Sequence, residues 1–273
     1  MCPPPNERLQ RTRAARSPLS RKPLGVWATV GDFMTGTIKL LSESLVYFLG
    51  GAVALLAAVR LGIPFLLRTY GIPAVFGWFL TSGVLVAFFF FAAIIATRHS
   101  TGARSAAETL QALYLRRLNE TDLVWAIGGL LGVVVLTGVV VTVSSSLLSI
   151  DLLSKQLYSS FLQMDKLRPD EYWIFAVWLP YFFFNIAGEE LLWRGYLLPR
   201  QEQALGCRAW ILNGLLWAVF HSAIGWRIAL VLLPIEFIVP YVVQRRHNTW
   251  LGILIHGVYN GAGFILVALG VVK

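Results

Sequence analysis

The sequence predicts an all-α protein: a polytopic transmembrane helical bundle of about seven spans, with its functional core in the C-terminal four. Three observations predict it. Of the 273 residues, 57% are hydrophobic and only 14% charged, where soluble domains run nearer half apolar and a quarter charged. The mean hydropathy of +0.67 is more than a fold of this size can bury in its own interior. Apolar stretches of the length a bilayer requires, ~20 residues, recur along the chain. A soluble globular domain, a disordered chain and a disulfide scaffold are thereby excluded. Cys2 and Cys207 offer no CxxC or Cys/His ligand spacing, and Cys207 is expected to be inert.

Residues 1–40 read as a basic, disordered cytoplasmic tail. Its first part carries Arg8, Arg11, Arg13, Arg16, Arg21 and Lys22 against Glu7, among several prolines. No signal peptide is expected, because the first apolar run starts only near Leu45. Such a tail suits an anionic lipid surface. Residues 41–122 are expected to hold the N-terminal spans and a surface helix, and residues 123–273 the core. The spans are placed near 44–67, 72–97, 123–148, 172–199, 208–225, 227–244 and 249–272. Arg60 lies near one end of the first, where it can snorkel. The run Phe88 to Phe91 in the second has a lipid-facing look. Residues 103–121 alternate Arg104, Arg116 and Arg117 with Leu110, Leu113 and Leu118, the pattern of an amphipathic surface helix. The stretch 150–171 is a polar loop. The Gly128–Gly132 and Gly257–Gly261 pairs predict close helix packing.

The formal net charge of +9 would suggest nucleic acid in a soluble chain. Here the basic residues flank apolar runs, so the partner is the lipid bilayer and no nucleic acid is expected. An inside N-terminus gathers Arg98, Arg104, Arg116, Arg117, Arg200, Arg208, Arg245 and Arg246 on one side with the tail. The other side receives Arg68, Lys155, Lys166, Arg168, Arg227 and Lys273. The positive-inside rule then predicts a cytoplasmic N-terminus and an outside C-terminus.

Charged groups deep in hydrocarbon cost at least ~2.5 kcal/mol, so each needs a partner or a purpose. The last four spans carry Asn185, Glu189, Glu190, Arg194, Asn213, His221, Glu236, His256 and Asn260, while the first three carry almost nothing comparable. With Arg200, Arg208 and Asn248 taken as one membrane edge and ~1.5 Å of rise per residue, Glu189, His221 and Asn260 lie about 16, 20 and 18 Å deep. Three helices thus place polar groups in one slab, which predicts a shared cavity. Glu189 and Glu190 point about 100° apart. Glu190 can pair with Arg194 four residues on, which leaves Glu189 as the free carboxylate. Trp217, four residues before His221, can wall the same site. Asn213 is read as structural, and Glu236, between Pro234 and Pro240, as structural or else as a protonated or cavity-lining group.

At these residues the chain resembles the CPBP intramembrane protease family, which includes the type II CAAX prenyl endopeptidases and the bacterial Abi-like proteins. Its Glu-Glu-x-x-x-Arg motif is matched by Glu189 to Arg194, its Phe-x-x-x-His motif by Trp217 to His221, and its His-x-x-x-Asn motif by His256 to Asn260. The match covers about residues 123–273. Trp217 stands where the family has phenylalanine, which predicts altered packing rather than altered chemistry. The resemblance implies that Glu189 and His221 activate water, that His256 and Asn260 hold the developing oxyanion, and that Glu190 and Arg194 orient the motif helix. It implies a membrane-associated protein or peptide substrate, CAAX-like or otherwise, and a cytosol-facing site. It favours a glutamate mechanism without a metal. Glu189, His221 and His256 are equally a zinc ligand set, although no HExxH is present. A catalytically silent scaffold or chaperone of the same fold, and an ion-coupled transporter, remain as alternative functions.

Overall fold

The computed structural model describes residues 30–152 and 166–271, with side chains from residue 36 onward. Residues 1–29, 153–165 and 272–273 lie outside the described residues, so the basic tail's first part, Lys155 and Lys273 are not placed. Helix α1 spans Val30–Ala57, so it starts within the stretch read as tail, and passes through a π-helical turn at Ala58–Gly62 into α2, Ile63–Tyr70. Gly71, at φ 66°, ends α2 in the left-handed conformation glycine adopts without cost. Helix α3, Ala74–Thr101, returns across the bundle and ends on Gly102 at φ 72°.

The expected surface helix is shorter than its pattern. Only α4, Ala106–Ala112, forms, capped by Ser105. Tertiary bonds take the rest: the carbonyls of Leu113 and Tyr114 accept from the hydroxyl and backbone N–H of Thr249. Arg116 meanwhile reaches away to Asp122. Helix α5, Glu120–Leu148, starts from a capping box of Asn119 and Asp122. Helix α6, Ile174–Glu189, continues without a break through a π-helical segment, Glu190–Leu197, into α7, Leu198–Leu205. Helices α8, Ala209–Ser222, α9, Trp226–Arg246, and α10, Thr249–Ala268, complete the chain.

Among the described residues, five helical stretches are long and apolar enough to cross a membrane: Gly36–Tyr70, Ala74–Thr101, Glu120–Leu148, Trp226–Arg246 and Thr249–Ala268. The other two expected spans are the helices that carry the Glu189–Arg194 and Trp217–His221 motifs. One holds Glu189, Glu190 and Arg194 at its centre, and the other, α8, has 14 residues, about 21 Å of rise.

The core follows from that arrangement. Trp193 is fully buried, stacked on Phe48 at 4.0 Å and tilted against Phe89 at 4.8 Å. The phenylalanine run is therefore not uniformly lipid-facing. Phe88 and Phe91 are more than half exposed, while Phe89 turns inward at 1%. A methyl at Gly188 would collide with the carbonyl oxygen of Val86, so glycine lets α6 lie directly on α3. Gly257 and Gly261 accept Phe182 as the spacing predicts. On α5 the packing glycines are Gly129 and Gly132, against Ile255 and Ile238, whereas Gly128 meets open space. The faces in contact are set by α5's rotation toward α9 and α10.

One edge of the bundle is tied by a polar network. Asp122, fully buried, accepts two bonds from Arg116 at 2.7 and 2.9 Å, one from Arg246 at 2.9 Å and one from Asn248 at 3.3 Å. This joins the start of α5, the end of α9 and the start of α10. Replacing Asp122 with alanine strands two arginines beside a buried hollow. We expect a loss of roughly 3 kcal/mol, the low end for breaking a buried ion pair, because Arg116 and Arg246 keep 40% and 24% side-chain exposure. Reversible unfolding in detergent measures it, and wild-type stability would remove the network's role as an anchor.

Candidate active site

Glu189 closes the α-helical part of α6 and is 2% exposed. It is not the free carboxylate that its neighbour's pairing suggested. Asn185, one turn earlier, donates its amide to Oε1 at 2.8 Å, and Trp217 on α8 donates its indole N–H to Oε2 at 2.7 Å. Both donors are neutral, so they orient the carboxylate without cancelling its charge. Trp217 thus does more than pack. Phenylalanine at this position could not make the bond.

Glu190 turns the other way, as adjacent helical positions must. Its Oε1 accepts from Arg194 at 3.0 Å and from Nδ1 of His256 at 2.9 Å, and all three side chains are buried. Arg194 lies flat over the Trp217 ring, 3.5 Å from its centroid, a cation–π contact strengthened by burial. A methyl at Gly252 would strike the Glu190 carboxylate, so that glycine on α10 makes room for it. The other ring nitrogen of His256, Nε2, meets the amide nitrogen of Asn260 at 2.9 Å. An ionised Glu190 can only accept, so Nδ1 carries the proton. Nε2 then takes one amide hydrogen of Asn260 and leaves the second one available.

His221 ends α8. Its Nδ1 faces Oε1 of Glu236 on α9 at 3.0 Å, and its ring is flanked by Trp217 and Phe220, each at 5.2 Å between centroids. Glu236 is the site residue that motif spacing does not reveal. The available signal was a carboxylate in mid-span with no partner in its own helix. Asn213 lies elsewhere, donating to the Trp193 carbonyl and to Gln201, and serves to join α8 to the motif helix.

These groups border a cavity of about 160 Å³, room for several waters. Glu189, His221 and Asn260 line it, together with Asn185, Tyr181 and Ser82. His256 does not line it and stands behind Asn260. Leu55, Leu85, Val86, Ile224, Ile228 and Leu232 make an aliphatic wall. The cavity reaches Trp78 and Ile228, each within about a turn of the start of its helix. On the other side Glu190 to Leu198 are all buried and seal it. It therefore extends away from the edge that holds Arg98, Arg116, Arg200 and Arg246.

Residues 171–262 match the family model for Rce1-like type II CAAX prenyl endopeptidases. That segment runs from the start of the motif helix to just past Asn260 and holds all three motifs, so the resemblance to the CPBP proteases stands over it. Integral membrane character follows from the same match and the five apolar helices. No curated protein and no solved structure matches the chain.

Trp217→Phe keeps a ring for Arg194 to lie on and removes the donor to Glu189. One carboxylate oxygen is then buried without its bond, at an expected cost of about 1–3 kcal/mol. Thermal unfolding in detergent reads the change, and an unaltered midpoint would mean that the indole bond does not hold Glu189.

Proposed function

We propose that the protein is an intramembrane endopeptidase that hydrolyses a peptide bond in a membrane-associated or CAAX-like substrate. The observation that carries this reading is the convergence of a carboxylate, an imidazole and an amide donor, Glu189, His221 and Asn260, on one cavity within the membrane slab. Each supplies one requirement of peptide hydrolysis: a base for water, a shuttle for its proton and a donor for the tetrahedral oxyanion.

In this mechanism a water sits between the Glu189 carboxylate and Nε2 of His221. As its oxygen bonds to the scissile carbonyl carbon, its proton passes to the Glu189–His221 pair. The carbonyl oxygen gains the negative charge and accepts the second amide hydrogen of Asn260. His256 acts through Asn260, because its Nε2 is spent on that side chain and its Nδ1 on Glu190. Collapse of the intermediate breaks the C–N bond, and the proton held by the pair goes to the leaving amine. Asn185 and Trp217 keep Glu189 aimed throughout. The aliphatic wall suits apolar side chains beside the scissile bond.

Zinc was the alternative, with Glu189, His221 and His256 as ligands. The hydrogen bonding of His256 speaks against that donor set. Both ring nitrogens of His256 are hydrogen-bonded to protein groups. The proposed route accordingly runs through Glu189 and His221 alone.

Purified protein offered prenylated and unprenylated membrane-proximal peptides tests the reading. Wild-type cleavage should persist in a strong chelator. It should fall at least ~100-fold in Glu189→Gln, the scale of a lost general base. Activity lost to chelator and restored by zinc would overturn the metal-free route. Full activity in Glu189→Gln would overturn the assignment of the base. Absence of cleavage with every peptide would favour a silent scaffold of the same fold.

A further inference from the structure

Glu236 is fully buried at mid-helix in α9, and among the described residues its carboxylate has a single hydrogen-bond partner, Nδ1 of His221. Its second oxygen, Oε2, has none. A buried carboxylate is costly to keep in a membrane protein, and this one joins no helix pair beyond its bond to His221. The backbone is shaped around it. Pro240 has no N–H to offer the Glu236 carbonyl one turn back. A methyl at Gly214 would lie 2.8 Å from that same oxygen, so glycine lets α8 approach α9 here. That approach puts Glu236 within reach of the histidine at the end of α8.

We propose that Glu236 is a positioning residue for His221, and that the two form a carboxylate–imidazole dyad that makes His221 the proton-carrying member of the site. This deepens the protease reading and rests on it. Glu236 accepts from Nδ1–H and so holds the imidazole in one tautomer, with the Nε2 lone pair left to the cavity. When Nε2 takes the water's proton, the carboxylate faces the imidazolium and stabilises it, the division of labour seen wherever a buried carboxylate backs a catalytic histidine. Trp217 and Phe220 flank the ring but offer Nδ1 no acceptor. Glu189, whose oxygens are bonded to Asn185 and Trp217, stays the carboxylate base that draws the proton from the water, and His221 is the member of the pair that carries it on to the leaving amine. Glu236 touches neither substrate nor water in this arrangement.

The test is a double-mutant cycle with Glu236→Gln and His221→Ala, read as kcat and KM on a cleaved peptide, with thermal midpoints to confirm folding. Glu236→Gln keeps the shape and removes the charge. It should lower kcat about 100-fold, the low end of what a positioned base contributes, with KM unchanged. In the His221→Ala background it should cost nothing more, because Glu236 acts only through His221. Losses that multiply, or unchanged kcat in Glu236→Gln, overturn the proposal. An independent readout is the nitrogen NMR spectrum of histidine-labelled protein in bilayers, with the His221 signal identified by its absence in His221→Ala. Protonated Nδ1 in the wild type and a changed tautomer in Glu236→Gln support the dyad, and protonated Nε2 with bare Nδ1 in the wild type overturns it. If His221→Ala cleaves at the wild-type rate, the water-activation reading fails, and the spectrum still decides the pairing.

Discussion

A carboxylate in the membrane interior must be given donors, and the adjacent pair Glu189–Glu190 imposes that requirement twice at one depth. Because neighbouring helical positions diverge, the two must be satisfied from opposite directions. Glu190 draws in Arg194 and His256, and Glu189 draws in Asn185 and Trp217. Helices α8 and α10 are thereby fixed against the motif helix by bonds that have no substitute in hydrocarbon. The stacking of Arg194 on Trp217 closes the two sets into one unit.

That unit explains where the bundle tolerates no side chain. Gly252 yields space to Glu190, Gly188 lets α6 settle on α3, and Gly214 lets α9 close on α8. Gly252 and Gly214 stand where a helix must come close enough for a polar side chain on one to serve a group on another. The apolar core around Trp193, Phe48 and Phe89 holds the motif helix from the far side. The Asp122 network at the arginine-rich edge sets the heights of α5, α9 and α10 relative to one another.

Reactivity is graded across the same arrangement. The sealed side, Glu190 to Leu198, carries the structural charges. The open side carries groups with capacity to spare: the oriented carboxylate of Glu189, Nε2 of His221 and the second amide hydrogen of Asn260. A layer behind them, Trp217, Glu236 and His256 each hold one of these groups in place. The site is thus two shells deep, and both shells are built from helix interiors rather than loops.

Much of this was legible in the chain itself. Composition and apolar run length give the membrane bundle. The depth of Glu189, His221 and Asn260 gives one shared cavity, because helix rise is constant and three independent edges agree. The four-residue spacing gives the Glu190–Arg194 pair, which is local to one helix. What the sequence could not give are contacts across helices, since they depend on how each helix is rotated and how near it lies. The Glu236–His221 bond, the indole donor to Glu189 and the withdrawal of His256 behind Asn260 are of this kind. So are the choice of Gly129 over Gly128 as a packing face and the truncation of the surface helix by Thr249. Periodicity names the face of a helix that is polar, and only packing decides which partner that face meets.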